Sequence, residues 1–368
     1  MNSRLTIPSP EARIIDVVAK ATRYPKELLG LDADLEDELG IDSVKLQEIL
    51  VALEQAFPGV PALPERERPR TLRDFVSWIQ KTQPASADPS APSSDPPLVA
   101  PEFAATSAGA APEASARHSL AGKIILVSGS GHGLGRATAL ELARRGATVV
   151  LNSFHHRELG DEVARTIGAQ GGQAHHIWAS MARPDHVDRL FDELGDRFGG
   201  LDVFIHNASN GVFAKLGEVT EEQWLKSFRT NVMGFHRGAL RAAALMRKRG
   251  GGKILTLSSV YENATVDYFG VQGPVKAALE SLTRFLAKEL LNDNIQVNCL
   301  SFGALEGKTM SLYPEAERIR RATEARSQGQ RRMTELEAAR AQLLFLSPDA
   351  DSITGSTLRI DRGMMLSW

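Results

Sequence analysis

The run QPASADPSAPSSDPPLVAPEFAATSAGAAPEASA, between Thr82 and Ser119, constrains this chain more than any other stretch. It is built almost entirely of Pro, Ala, Ser and small or polar neighbours, so it cannot bury a core and is expected to be an extended tether. As a flexible coil it spans about 30 to 35 Å root mean square, and proline lengthens this. Folding therefore has to happen on either side. The expected organisation is a helical domain over 9–82, a linker over 83–119, and a larger domain over 120–368, in keeping with the chain's 368 residues.

A 42% apolar composition is ordinary for a globular protein, and a net charge of −2 gives no general attraction to nucleic acid or membrane. No apolar run has the length of a membrane span, and MNSRLTIPSPEAR lacks the apolar segment of a signal peptide, so a cytoplasmic protein is expected. The single Cys299 excludes an intramolecular disulfide and, set in IQVNCLSF, reads as a buried thiol. No metal-type spacing occurs, and no metal is expected.

The N-terminal part reads as a small bundle. Ser9-Pro10-Glu11 is a helix start, followed by Ile14, Ile15, Val17 and Val18. A second helix opens near LGIDSVKLQEIL with a stripe of Leu46, Leu50, Leu53 and Phe57, and a third begins at Thr71. Nine carboxylates and one base lie between Glu27 and Glu54, which makes this face either solvated or a partner's docking surface. Leu39-Gly40-Ile41-Asp42-Ser43-Val44 places a hydroxyl at a helix start, where free amides and the helix dipole accommodate a phosphodiester; Asp42 or Ser43 as a plain cap is the other reading. The segment resembles the attachment site of acyl and peptidyl carrier proteins. That resemblance implies that Ser43 carries a 4'-phosphopantetheine, installed by a phosphopantetheinyl transferase.

From Ala121 onward, apolar strands alternate with helical stretches, the pattern of an α/β doubly wound parallel sheet. KIILVSGSGHGLGRATALELARRG is a strand, a turn and a helix. Gly129, Gly133, Leu134 and Gly135 line that turn, where glycine lets the backbone approach a pyrophosphate at the helix N-terminus. The next strand ends at VVLNSFHHR without the carboxylate that an NAD site sets against the ribose. Ser153 and Arg157 stand there instead, which favours NADPH; His132 and Arg136 are further candidates, or plain surface residues.

The stretch Ile254 to Ala287 combines Ser259 at a strand end, Tyr268 on a loop and Lys276 on a helix whose Leu279, Leu282 and Leu286 mark a buried face. A lysine lowers the pKa of a neighbouring phenol, so these residues make a proton-donating site.

Residues 121–368 resemble the short-chain dehydrogenase/reductase family, through SGSGHGLG, HNAS (with Asn207 and Ala208), Asn231, Ser259 and Lys276. LDVFIHNASNGV, VKAALESLTRFLAKEL and VNCLSFGAL are most similar to NADPH-dependent enoyl-acyl-carrier-protein reductases. The resemblance implies a Rossmann fold, hydride transfer to a tethered 2-enoyl thioester in polyketide or fatty-acid-like synthesis, and a dimer or tetramer formed through the reductase domain. It also implies that Lys276 contacts the cofactor and that the segment after the sixth strand covers the substrate. That segment is rich in arginine, including Arg318, Arg320 and Arg321, and so offers an acidic carrier, its own or a neighbour's, opposite charge.

The chain departs from the family at the phenol. Four residues before Lys276, where ketoreductases hold Tyr, stands Gln272; seven before, where enoyl reductases hold it, stands Phe269. The nearby phenols are Tyr268 and Tyr261, and Tyr268 is the expected partner of Lys276. Ketoreduction, isomerisation or dehydration of the tethered chain, and a degenerate reductase serving as a docking scaffold are the alternatives.

Overall fold

A computed structural model describes residues 9–22, 24, 26, 29–36, 39–41, 43–59, 69–82, 119–307, 312–326 and 332–366. The expected tether, Asp42 and Glu38 lie outside the described residues. The chain divides into two compact units, residues 1–110 and 111–368, and each is described by itself.

In the first unit, α1 (Pro10–Thr22) starts where Ser9 Oγ accepts the Ala12 N–H at 3.2 Å, with Pro10 in the first turn where no amide partner is needed. α1 packs against α2 (Ser43–Ala56) and α3 (Leu72–Thr82). Leu53 and Phe57 of the expected stripe are buried and Ile49 joins them, while Leu46 and Leu50 are only half-buried at the edge of that face. Ile14, Val18, Leu72, Phe75 and Ile79 complete the core. Thr71 and Asp74 cap α3 reciprocally: Thr71 Oγ1 accepts the Asp74 N–H at 3.2 Å, and the Asp74 carboxylate accepts the Thr71 N–H at 2.9 Å.

The second unit is built on a parallel sheet of seven strands in the order β3-β2-β1-β4-β5-β6-β9. They are β1 (Ile124–Val127), β2 (Thr148–Ser153), β3 (Gln173–Trp178), β4 (Val203–His206), β5 (Gly252–Ser259), β6 (Ile295–Phe302) and β9 (Thr357–Ile360). A two-stranded ladder of β7 (Leu305–Glu306) and β8 (Met333–Thr334) lies apart. Strands covered on both faces need apolar residues on both, and they have them. Leu126, Val150, Phe204, Ile254 and Val297 face one core, with α6 (Pro184–Phe198), α8 (Gly234–Arg247) and α9 (Gln272–Leu290). Ile125, Val149, Val203, Leu255 and Leu300 face the other, with α4 (Gly133–Arg144), α5 (Arg157–Ala169) and α11 (Glu335–Leu346).

α7 (Glu221–Phe228) runs into α8 through a π turn over Arg229–Met233, and α10 (Ala316–Arg326) follows β7. Strand order reverses between β1 and β4, so the crevice beyond their carboxyl ends is where this fold takes a ligand. Cys299 is buried on β6, and burial pushes its thiol well above the usual range.

Candidate active site

The turn after β1 closes on Asn207. Its Nδ2 donates to the Ser128 carbonyl at 3.0 Å and the Gly129 carbonyl at 2.8 Å. Gly129 and Gly133 hold φ of 65° and 58°, which side chains resist. A Cβ on Gly135 would stand 2.2 Å from the Gly129 carbonyl oxygen and 2.5 Å from Asn207 Nδ2. His132, at the N-cap of α4, forms no side-chain cap, so the first amides of the helix remain for phosphate oxygens. This cradle fits a dinucleotide. Gly135→Ala is therefore expected to abolish nicotinamide-cofactor binding and lower Tm, as checked by fluorescence titration and thermal melting.

A buried polar chain runs from that turn to Lys276. Ser128 Oγ accepts the amides of Asn207 and Ala208, each at 3.1 Å, so its proton points to His206 Nδ1 at 3.3 Å. His206 Nε2 then donates to the Asn231 carbonyl at 3.0 Å. Burial drives the His206 pKa down to about 3, which keeps this tautomer neutral. Asn231 sits in the π turn, an irregularity common at functional positions. Its Nδ2 donates to the Ser227 carbonyl at 2.8 Å, and its Oδ1 accepts Ser209 Oγ at 2.8 Å and faces Lys276 Nζ at 3.5 Å. Lys276 also donates to the Leu257 carbonyl at 2.8 Å. Val275 and Leu279, both buried, seat this face of α9 on the sheet, and burial lowers the Lys276 pKa to about 8.

Ser259, half-buried at the end of β5, accepts the Tyr261 N–H at 3.4 Å and so begins the 3₁₀ turn Val260–Glu262. The Tyr261 ring lies 5.5 Å from Phe269, and its hydroxyl is 3.4 Å from Thr323 Oγ1. Tyr268 does not meet Lys276 as expected. At φ 66° its hydroxyl instead donates to Glu315, whose carboxylate holds the phenol above its ordinary pKa. Gln272 is buried, and its Nε2 donates to the Asn210 carbonyl at 2.6 Å and Ser227 Oγ at 2.8 Å, locking α9 to the Asn231 turn.

Sequence reasoning passed over Tyr313. It is buried, stacked on Phe269 at an interplanar angle of 7°, and 4.5 Å from the Phe213 ring. The signal available for it was an aromatic within the covering segment. The arginines of that segment are drawn to nearby carboxylates: Arg318 to Asp267 at 2.8 Å, Arg320 to Glu317 at 2.5 Å and Arg321 to Glu317 at 3.2 Å. Their charge toward a carrier is correspondingly reduced.

Ser153 and Arg157 flank the end of β2, with Arg157 in the first turn of α5. Among the described residues no His, Cys, Asp and Glu side chains gather as a metal would need, and no helix is long and apolar enough to cross a membrane.

A parallel seven-strand Rossmann sheet with a glycine-lined phosphate turn and an Asn–Lys pair facing at 3.5 Å defines a short-chain dehydrogenase/reductase, here joined to a carrier domain. Residues 129–365 match the family described as Enoyl-(Acyl carrier protein) reductase, and the chain belongs to it; residues 12–79 match Phosphopantetheine attachment site. The chain is 31% identical to 1-cyclohexenylcarbonyl-CoA reductase of Streptomyces collinus over 246 residues, 66% of this chain and 87% of the relative. It is 35% identical to the hydroxynaphthalene reductase-like protein Arp2 of Metarhizium anisopliae over 51% of this chain and 70% of that one. A gluconate 5-dehydrogenase from Burkholderia cenocepacia, solved with NADP and tartrate, superposes with a TM-score of 0.65 at 27% identity, covering 69% of this chain and all of its own. The protein is an oxidoreductase with a carrier domain.

Proposed function

We propose that the second unit reduces a 2-enoyl thioester held on a phosphopantetheine arm at Ser43, with NADPH, in polyketide or fatty-acid-like synthesis. The carrying observation is Gln272. At the position from which a phenol would protonate an alkoxide, its amide is buried and donates to Asn210 and Ser227. Ketoreduction is disfavoured accordingly. The relative that reduces a cyclohexenylcarbonyl thioester, an α,β-unsaturated acyl group by its name, supports the same choice.

The dinucleotide, when bound, supplies a hydride. Gly129, Gly133, Leu134 and Gly135 would receive its pyrophosphate, Asn207 and Ala208 would border it, and Arg157 would attract a 2'-phosphate. Hydride addition at the β-carbon moves an electron pair to the thioester oxygen, and the α-carbon then takes a proton. Lys276, oriented by Asn231 and the Leu257 carbonyl, offers positive charge for that oxygen. Ser259 ends the same strand, two residues after Leu257. Of the two candidate phenols Tyr261 is favoured, because its amide bonds Ser259 whereas the Tyr268 hydroxyl is engaged by Glu315. Tyr261→Phe is expected to lower kcat about a hundredfold, the lower end for a lost general acid, while Tyr268→Phe stays within tenfold of wild type.

The test of the reaction is NADPH absorbance with 2-enoyl and 3-oxoacyl pantetheine thioesters side by side. Turnover of the 3-oxo substrate alone would move the protein to ketoreduction. Association is proposed through the long helices, where Phe228, Met233 and Leu240 on the α7–α8 run and Phe285 on α9 are exposed. Light scattering should give a dimer or tetramer, and Phe285→Glu should shift it toward monomer.

A further inference from the structure

Beside the proposed adenosine site, Ser153 Oγ lies 2.8 Å from His176 Nε2, and His176 Nδ1 lies 2.7 Å from Asp161 Oδ1. The imidazole is 4% exposed and the carboxylate 53%. Gly160 makes room for the ring, since a Cβ there would stand 2.3 Å from Nε2. Ser153 also borders the phosphate turn: a Cβ on Gly131 would come 3.4 Å from Ser153 Cβ, and the turn is tied to this strand end by Ser130 N–H to the Asn152 carbonyl at 2.8 Å.

A carboxylate only accepts, so His176 Nδ1 carries hydrogen. Burial pushes the ring's pKa down. Asp161 on α5 acts against this, while Arg157 on α5 and His175 on β3 act with it, and the ring is neutral at and above neutral pH. Nε2 is then a bare lone pair, and the Ser153 hydroxyl must donate to it. The other acceptor in reach, the His156 carbonyl, is farther away at 3.4 Å. With its proton spent inward, Ser153 turns only lone pairs toward a ligand. A ribose hydroxyl can donate to them; a phosphate dianion cannot.

We propose that the Asp161–His176 relay fixes Ser153 as a hydrogen-bond acceptor toward the adenosine ribose, moderating the NADPH preference conferred by Arg157 so that NADH is also accepted. Ser153 is the specificity-determining residue, and His176 and Asp161 position its proton. This rests on the nicotinamide-cofactor reading above.

His176→Leu removes the inward acceptor without changing charge, freeing the Ser153 proton for a phosphate. Calorimetry at pH 8, where a phosphate monoester is fully ionised, should show the NADPH-to-NADH affinity ratio rising about tenfold, the order expected for one hydrogen bond to a charged group. The rise should vanish when His176→Leu is made together with Ser153→Ala. Nitrogen NMR of wild type, with the His176 signal identified by its loss in the variant, should report hydrogen on Nδ1. An equal rise with and without Ser153, an unchanged ratio with cofactor binding intact, or hydrogen on Nε2 would each overturn the relay and leave the cofactor reading standing. Binding of neither cofactor by wild type would overturn both.

Discussion

Lys276→Met should lower kcat for thioester reduction about a thousandfold, the upper end of the range for removing one preorganised donor to a developing oxyanion. The variant deletes the cation while keeping an apolar stem of similar length, so Val275 and Leu279 remain seated and the loss is chemical. Its partners give a second readout. Without the ammonium, the Leu257 carbonyl loses its 2.8 Å donor, a change of about 0.5 to 3 kcal/mol, while Asn231 Oδ1 keeps the Ser209 hydroxyl at 2.8 Å.

The pH dependence follows from burial, which lowers the lysine from 10.5 to about 8. If the charged form is the active one, kcat/KM holds below pH 8 and falls above it. Stability moves the other way. Between about 8 and 10.5 the unfolded chain binds more protons at this group than the folded one, so its contribution to stability rises with pH. Rate and Tm measured across pH 7 to 10 on the same preparation should therefore not fall together. A rate that is flat through pH 8 would show that the ammonium is not needed.

The doubly wound sheet is legible in the sequence because each piece of it is local. IILV, TVVLNS and ILTLSS carry their own apolar runs, and the phosphate turn lies wholly between Ser128 and Gly135. The two-unit division is legible for the same reason, since a segment dominated by Pro, Ala and Ser, with few large apolar side chains, announces itself by composition.

What escapes the sequence is pairing across long separations. Tyr268 is in the expected loop, yet its hydroxyl is decided by Glu315, 47 residues onward, and by a left-handed backbone that redirects the side chain. Gln272 reads only as a missing tyrosine until Asn210 and Ser227, 62 and 45 residues away, come to it. His206 reads as a variant letter in a turn, although it joins the phosphate loop to Asn231. The arginines after β7 count as free charge in one dimension, and their neutralising carboxylates lie one helical turn away or across the loop at Asp267. Spacing along α10 makes the first kind visible, but nothing local marks the second.

Ser43→Ala should eliminate attachment of the arm completely, since an alanine has no oxygen to form the phosphodiester. Ser43 is the first residue of α2, directly after Ile41 and Asp42. A helix start presents unbonded amides and the positive end of the dipole, so a phosphodiester there is favoured by about 0.3 to 1 kcal/mol. From Ser43 onward the first turn of α2 contains no acidic residue, although Asp42 precedes it in the sequence. Intact mass after incubation with a phosphopantetheinyl transferase and coenzyme A should increase by one arm in wild type and not at all in Ser43→Ala. A gain retained in the variant would place the arm elsewhere, and no gain in either would mean that the first unit is not a substrate of the transferase used. The variant also separates loading from chemistry. Reduction of a free pantetheine thioester should proceed at the wild-type rate in Ser43→Ala, because that substrate brings its own arm, whereas turnover of an acyl group loaded on the chain itself should vanish. Loss of both activities would mean that the substitution acts through folding rather than through the missing oxygen, which the melting curve of the variant would register independently.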